Sequence, residues 1–288
     1  MSLLSIDWSG IFAYDEKAPL IFTRFFFWGF FAVVLAIYSI IHKKRALRNA
    51  YLFFVSLFFY YKSSGLFVCI LLFSTVSDYV LALAIHGTRP GLKKKLWLAL
   101  SLSINLLLLC YFKYAHFLIE NINHAFGTHF HEVNYFAQFA NGLFGTNSLV
   151  DRILLPVGIS FFTFQAISYA MDVYRGHVAP VRNILDYGFF VSFFPQLVAG
   201  PITRAAEFIP QVYKEFSLTR AQFGLAVFWI LNGLAKKMLI GDYIAVNFID
   251  RVFLDPLRFT GFENLMALYA YSLQVYCDFS GYTDIAIG

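Results

Sequence analysis

Long apolar runs separated by short polar segments make up most of the chain. A helix that crosses the hydrocarbon core of a bilayer needs about 20 apolar residues, and eight runs approach or reach that length. They are Ile21–Ile41, Leu47–Tyr61, Gly65–Ile85, Leu96–Phe112, Ile153–Met171, Ile184–Ala199, Phe223–Phe248 and Phe262–Tyr276. The pattern predicts an all-α, polytopic integral membrane protein. Residues 1–288 then form a single membrane domain with about seven transmembrane helices.

The positions of the basic residues predict which way the runs cross. Basic clusters lie at Lys43–Arg48, after the first run, and at Arg89–Lys95, after the third. Alternating crossings put both clusters on one side, which the positive-inside rule makes the cytoplasmic side. The connector between Lys113 and Arg152 contains no Lys or Arg. We therefore expect an extracytoplasmic N-terminus and an extracytoplasmic loop at residues 120–151.

The run Ile184–Ala199 differs from the others because both of its flanks are basic. Arg182 precedes it and Arg204 follows it, so we expect residues 184–201 to enter and leave the membrane on the cytoplasmic side as a re-entrant segment. The residues that interrupt a regular helix there are Pro195, Gly200 and Pro201. Irregular backbone at membrane depth is tolerated only where protein or a water-filled cavity surrounds it. The segment is therefore a first indication of a site.

The composition agrees with a membrane protein. Hydrophobic residues make up 59% and charged residues 14%, against about 45–50% and about 25% in soluble domains. A soluble globular protein and a disordered chain are thereby excluded. The net charge is +5, but the basic residues sit in short clusters beside apolar runs. This arrangement favours membrane lipids over nucleic acid as the partner.

Ordinary metal and soluble-enzyme sites are not indicated. His124, His129 and His131 cluster in the predicted external loop, but solvated loop histidines explain them better than a metal site does. Ser160 follows Gly158 without the second glycine of a nucleophile elbow, and no phosphate-binding glycine loop is present. We expect no metal and no bound cofactor.

Polar residues inside the apolar runs are the best candidates for function. A charge at membrane depth costs at least about 2.5–3.5 kcal/mol on insertion scales, so it needs a partner or a cavity. Hydrogen bonding between helices is the alternative reading for each of them. The candidates are Asp78, Gln165, Asp172, Gln196, Asp242, Gln274, Asp278 and Asp284. Close helix approach or a helix break at Ser280 and Gly281 is expected between the last two.

Three ordered blocks carry a family resemblance. The string LPVGISFFTFQ at Leu155–Gln165 continues to Asp172–Gly176, and the later blocks are Phe193–Ile202 and Asp278–Gly288. Weaker matches are Asp78–Tyr79 and Tyr111–Tyr114. Together they resemble the bacterial membrane-bound O-acyltransferases, in the branch that acylates polysaccharides such as alginate, from about Leu52 to the end of the chain.

The resemblance implies an activity. Such proteins move an acyl group, here expected to be acetyl, from a cytoplasmic thioester donor to a hydroxyl of an extracytoplasmic polysaccharide through a membrane tunnel. The donor, acetyl-CoA or an acyl carrier, is a cosubstrate. The implied location is the bacterial inner membrane, and periplasmic acetylation proteins are implied partners.

The resemblance also implies a catalytic histidine that acts as general base on the acceptor hydroxyl. In the family it follows a Trp downstream of the third block, and none of the seven histidines of this chain has that context. We therefore expect no catalytic residue within residues 1–288, an incomplete tunnel, and no activity of this chain alone. The expectation is that the chain is the front part of a longer protein. The alternative is a natural short form completed by a second chain.

Within the chain, the resemblance and the apolar pattern nominate binding residues. The tunnel-lining candidates are Gln165, Gln196, Asp278 and Tyr282, with Pro195, Gly200 and Pro201 shaping the re-entrant turn. Arg175 and Arg204 are donor-side candidates for a phosphate or carboxylate. Structural packing is the alternative for each residue. Two other functions stay open: a transporter of an acyl group or lipid-linked unit, and a scaffold for envelope polysaccharide assembly.

Overall fold

The computed structural model describes residues 14–15, 19–131, 133–144, 153–198 and 200–288. These residues are helical with turns and loops between the helices, and no strand occurs among them. The predicted all-α class is confirmed. Parts of the predicted N-terminal segment and of the 120–151 loop lie outside the described residues.

The helices follow the apolar runs closely. In chain order they are α1 (Phe25–Ile41), α2 (Arg45–Ser64), α3 (Val68–Gly87), α4 (Leu92–Leu109), α5 (Ala115–Phe126), α6 (Tyr135–Phe144), α7 (Ile159–Arg175), α8 (Ile184–Ser192), α9 (Phe194–Leu197), α10 (Ala205–Val212), α11 (Arg220–Leu234), α12 (Asp250–Leu254) and α13 (Gly261–Ile287). Short 3₁₀ turns lie at Gly65–Phe67 and Pro256–Arg258. Wider π-helical turns lie at Cys110–Tyr114, Ala235–Asp242 and Ala245–Ile249.

Three helical stretches among the described residues are long and apolar enough to cross a membrane. They are Arg45–Gly87, Leu92–Phe126 and Arg220–Leu254. The helix Phe25–Ile41 is apolar but shorter. A membrane protein is therefore well supported, and the number of spans stays a prediction.

The stretch Arg45–Gly87 contains two antiparallel helices. Gly65, after α2, has a φ of +60°, a left-handed conformation that glycine adopts without the usual steric cost. Asn49 at the start of α2 donates to Asp186 (2.9 Å), while Tyr79 late in α3 donates to the carbonyl of Arg182. Opposite ends of α2 and α3 thus meet the same short segment, and each helix has 20 residues, about 30 Å.

The chain divides into two compact units. The first comprises Met1–Ile21, Ala32–Phe194 and Ile202–Lys214, and the second comprises Phe22–Phe31, Pro195–Pro201 and Glu215–Gly288. In the first unit, Phe53 of α2, Phe189 of α8 and Val212 of α10 form a buried apolar cluster. The second unit is built around α11 and α13.

The basic segments of the first unit lie at one end of it. Lys94, at the start of α4, donates to the carbonyl of Tyr174 near the end of α7 (2.9 Å). Arg48, at the start of α2, donates to the carbonyls of Val212 and Lys214 after α10. We call this the basic end. The clustering agrees with the positive-inside pattern.

Candidate functional site

In the second unit, α11 and α13 approach closely through two glycines. A Cβ added to Gly281 on α13 would lie 2.8 Å from the carbonyl oxygen of Gly233 on α11. Such a contact is shorter than real Cβ atoms show. Small residues let helix backbones approach in this way. The helix α13 runs unbroken through Ser280 and Gly281, so close approach is found here rather than a helix break.

Lys237 bonds two carboxylates at this contact. Its Nζ donates to Asp278 Oδ1 (2.8 Å) and to Asp242 Oδ1 (2.6 Å). The ammonium also lies 5.9 Å from the ring centroid of Tyr282, within cation–π range. The predicted tunnel residues Asp278 and Tyr282 are therefore brought together around Lys237.

A second lysine bonds the next turn of α13. Lys236 Nζ donates to Asp284 Oδ2 (2.7 Å) and to Ser280 Oγ (2.8 Å). Asn232 of α11 donates to the same carboxylate oxygen of Asp284 (2.7 Å). Each charged side chain at this helix contact thus has a partner, because burying an unpaired charge is costly.

We call Lys236, Lys237, Asp242, Asp278 and Asp284 the lysine–carboxylate cluster. Its two lysines face three aspartates, and the surplus carboxylate lies where solvent reaches it best, because the Asp242 side chain is 44% exposed against 30% for Asp278 and 7% for Asp284. Both lysines come from a π-helical turn, a feature frequent at functional sites.

The sequence pattern indicates the three aspartates as candidate site residues but does not indicate their lysine partners. Lys236 and Lys237 interrupt the apolar run Phe223–Phe248, and no role was predicted for them. Two lysines inside an apolar run are costly charges that need partners. Their position in the run could therefore have predicted that they pair with acidic residues. The aspartates of the third motif block were the acids still without partners.

Gln165 is buried in the first unit and bonds backbone rather than another site side chain. Its Nε2 donates to the carbonyl of Phe190 (2.9 Å), near the C-terminus of α8. Ser56 accepts from the N–H of Phe194 (3.2 Å) just after that helix ends. These bonds satisfy polar backbone groups where α8 ends, which apolar surroundings require.

The predicted re-entrant turn is tightly folded around Gly200. The N–H of Gly200 donates to the carbonyl of Gln196 (3.1 Å), and a Cβ on Gly200 would overlap the backbone of Gln196. Gln196 is buried, and Pro195 and Pro201 are partly buried. Only a residue without a side chain fits this turn.

The helices before and after this turn in the chain are α8 and α10. The start of α8 and the end of α10 both lie at the basic end. Asp186, in the first turn of α8, accepts from Tyr213 Oη just after α10 (3.2 Å). Phe208 of α10 packs on Phe189 and Phe190 of α8, at 5.6 and 5.5 Å between ring centroids. The two helices therefore run side by side, with the start of one and the end of the other together.

The donor-side candidates are exposed. Arg175 ends α7 and Arg204 directly precedes α10, and both side chains are exposed. Asp172, one turn before Arg175, pairs with His177 Nδ1 at 3.6 Å. These groups lie on the first unit, as Gln165 does, whereas Gln196, Asp278 and Tyr282 belong to the second unit.

Asp78 has a structural environment. It is buried in α3 and accepts from Asn105 Nδ2 (2.7 Å), Ser101 Oγ (3.0 Å) and Ser74 Oγ (3.3 Å). Hydrogen bonds between neighbouring apolar helices are a common use of such residues. The interhelical alternative given for Asp78 in the sequence analysis therefore fits its surroundings.

The histidines of the chain lie at or near the surface. All seven are among the described residues; His42 is half-buried and the other six are exposed. No group of three or more metal-ligating side chains occurs in the described part of the chain. The expectation that residues 1–288 contain no catalytic histidine stays a prediction.

Comparison with known proteins shows clear relatives. The chain is 34% identical to a peptidoglycan O-acetyltransferase of Helicobacter pylori, over 91% of this chain and 50% of that protein. It is 35% identical to a probable alginate O-acetylase AlgI of Pseudomonas aeruginosa, over 91% of this chain and 47% of that protein. A teichoic acid D-alanyltransferase of Bacillus subtilis is 29% identical over 46% of this chain and 34% of its own.

No family model matches the chain. The chain spans about half the length of the first two relatives, 50% and 47%. The resemblance drawn from the three motif blocks is confirmed by relatives of the same kinds, polysaccharide O-acetyltransferases and a D-alanyltransferase.

Proposed function

Because the chain is a homologue of the bacterial membrane-bound O-acyltransferases, we propose that it forms part of an enzyme that acetylates hydroxyl groups of an extracytoplasmic polysaccharide. The observation that carries the proposal is the 34% identity to a peptidoglycan O-acetyltransferase over 91% of the chain. Relatives named for alginate acetylation support the same reaction class. The acyltransferase assignment follows from this resemblance.

The proposed reaction moves one acetyl group. The acceptor hydroxyl oxygen attacks the thioester carbonyl of acetyl-CoA or an acetylated carrier, the hydroxyl proton passes to a general base, and the thiol leaves with a proton. The base is the histidine expected outside these 288 residues. Periplasmic acetylation proteins complete the system.

The proposed architecture is a tunnel within about seven membrane helices. The antiparallel placement of α8 and α10, with the start of α8 and the end of α10 at the basic end, supports a re-entrant segment at residues 184–201. The clustered basic residues support a cytoplasmic basic end and an extracytoplasmic N-terminus in the inner membrane.

We assign a task to each of the candidate residues. Asp278 and Tyr282 line the tunnel while Lys237 fixes their positions. In the first unit, Gln165 holds the end of α8. Gln196, Pro195, Gly200 and Pro201 shape the re-entrant turn. Arg175 and Arg204, exposed near the basic end, meet the anionic part of the donor.

The test measures transfer of labelled acetyl in membrane vesicles. Cells that lack the gene are complemented with its whole reading frame, and vesicles receive acetyl-CoA and the cell's own polysaccharide. We expect acetyl in an ester bond to the polymer. Uptake of an unmodified acyl compound into proteoliposomes, with no thioester consumed, would favour a transporter and overturn the proposal. No consumption, with polysaccharide proteins co-purifying, would favour a scaffold.

The same assay tests Gln165. The substitution Gln165→Ala leaves the Phe190 carbonyl without its side-chain donor and should lower transfer at least about tenfold, the scale of a lost hydrogen bond to a buried group. Gln138→Ala, at an exposed glutamine on α6, is the control and should leave transfer unchanged. Transfer and acceptor affinity unchanged in Gln165→Ala would remove Gln165 from the site.

A further inference from the structure

The first unit contains a cleft of about 490 Å³ at its basic end. One wall is the loop between α7 and α8, with His177, Val178, Pro180 and Arg182, and the other is α10 with Ile209 and the following Tyr213. Most of this lining is apolar, and the polar groups are few. Binding sites for amphiphilic small molecules have this composition.

Hydrogen bonds hold both walls in place. The N–H of Val181 donates to Tyr169 Oη (2.9 Å), and Tyr79 donates to the carbonyl of Arg182. On the other wall, Tyr213 donates to Asp186 (3.2 Å). Burial, and next the charge of Asp186, raises the pKa of Tyr213, so this hydroxyl stays protonated. The cleft is therefore formed before any ligand enters.

An arginine lines the cleft and a second one lies beside it. Arg182 is exposed in the lining, and it forms no ion pair with any described residue. Arg45 adds a second cation 5.4 Å from the ring centroid of Tyr213. The neighbouring acids have partners within the protein, since Asp172 meets His177 and Asp186 accepts from Asn49 and Tyr213. Among the described residues that line the cleft, Arg182 alone carries a permanent charge. An anion is the complementary ligand.

The position of the cleft indicates where that anion comes from. The loop that forms one wall follows α7, whose Tyr174 carbonyl binds Lys94 in the first turn of the apolar stretch Leu92–Phe126. An apolar span begins there, so the cleft lies at the level of the lipid headgroups. Basic pockets between helices at this level suit phosphate headgroups.

We propose that the cleft binds the phosphodiester headgroup of an anionic phospholipid. Arg182 contacts the phosphate, Arg45 adds long-range attraction, and Val178, Pro180 and Ile209 contact the glycerol and first acyl carbons. A free phosphate gains nothing from the apolar walls, and a zwitterionic headgroup gains less from the two arginines. The site is separate from the lysine–carboxylate cluster and does not depend on the acetyl-transfer proposal.

The test follows thermal unfolding of the purified chain in an uncharged detergent. A ligand that binds only the folded state raises the unfolding midpoint. We expect dioctanoyl phosphatidylglycerol to raise it by several degrees, and dioctanoyl phosphatidylcholine, inorganic phosphate and coenzyme A to have little effect. The substitution Arg182→Ala should weaken the apparent affinity for phosphatidylglycerol about tenfold.

Two variants keep the result interpretable. Arg89→Ala removes an exposed arginine that does not line the cleft and should behave as the parent chain. Ala206→Trp fills the cleft from α10 and should lose the lipid effect with Arg182 intact. Equal stabilisation of the parent chain and Arg182→Ala, or equal effects of both lipids, would overturn the proposal. Preferential stabilisation by phosphate or coenzyme A through Arg182 would overturn the lipid assignment.

Discussion

Lys237 is the residue on which the charges of the second unit depend most. Its side chain is 15% exposed and lies between Asp242 and Asp278, at 2.6 and 2.8 Å. Without the ammonium, two carboxylates would face each other near the surface of α13. Removal of one partner from a buried pair costs roughly 3–5 kcal/mol because a charge is left unpaired. The partial exposure of both acids reduces that figure.

The substitution Lys237→Met tests this role. We expect the free energy of unfolding in detergent to fall by about 2 kcal/mol, and the double variant Lys237→Met, Asp278→Asn to recover part of the loss. Lys214→Met, at an exposed lysine outside the cluster, is the control and should change stability little. Additive effects of Lys237→Met and Asp278→Asn would show that the two side chains are not coupled.

At the scale of elements, the glycine contact between α11 and α13 determines whether the lysines reach their acids. The Gly281 position is also close to Lys237, since an added Cβ would lie 3.2 Å from Lys237 Cβ. A larger residue would push the helices apart. Gly241 makes a similar approach, with an added Cβ 3.2 Å from Asp278 Oδ1. The ion pairs and the helix packing therefore depend on each other.

The substitution Gly281→Ala should destabilise the chain by about 1–3 kcal/mol through overpacking. Gly224 offers a matched control on α11, because an added Cβ there meets no atom within 4 Å. Gly224→Ala should be neutral or stabilising by up to about 1 kcal/mol through helix propensity. Thermal unfolding of both variants in one detergent measures the difference, and a stable Gly281→Ala chain would contradict the packing account.

At the scale of the whole molecule, the separation of basic and non-basic segments sets the expected orientation. The turn at Arg89 belongs to the basic end, and His124 lies in a long segment without Lys or Arg after Lys113. The rule that basic loops stay in the cytoplasm then places Arg89 inside and His124 outside.

Single cysteines test this orientation. In a chain with Cys69, Cys110 and Cys277 replaced, a membrane-impermeant maleimide should label His124→Cys in intact spheroplasts. The same reagent should label Arg89→Cys only after the membrane is opened. Labelling of Arg89→Cys in intact cells would reverse the assignment.

The sequence predicted the helices better than it predicted the site. Apolar runs such as Phe262–Tyr276 lie within helices such as α13, because the hydrocarbon core demands a hydrogen-bonded backbone wherever a run crosses it. The run Leu96–Phe112 is shorter than the helical stretch that contains it, which continues to Phe126. Polar residues near a membrane surface lower the hydropathy of the segment, so hydropathy does not show where such a helix ends.

The pairing in the site was beyond sequence reasoning for a geometric reason. Lys237 and Asp278 are 41 positions apart, so their meeting depends on how α11 and α13 rotate against each other. The π-helical turn at Ala235–Asp242 changes that rotation, and no hydrophobic period reveals it. The motif blocks indicated Asp278 and Tyr282 but not the cation that joins them.

The lysine–carboxylate cluster also bears on how the chain enters the membrane during synthesis. The apolar stretch Arg220–Leu254 carries Lys236, Lys237 and Asp242 near its middle, and each charge alone costs about 2.5–3.5 kcal/mol on insertion scales. The carboxylates on α13 that pair with these lysines, Asp278 and Asp284, are synthesised later. The stretch should therefore wait in the translocation channel and enter lipid together with α13. An insertion reporter fused after Leu254 and after Gly288 would show the difference.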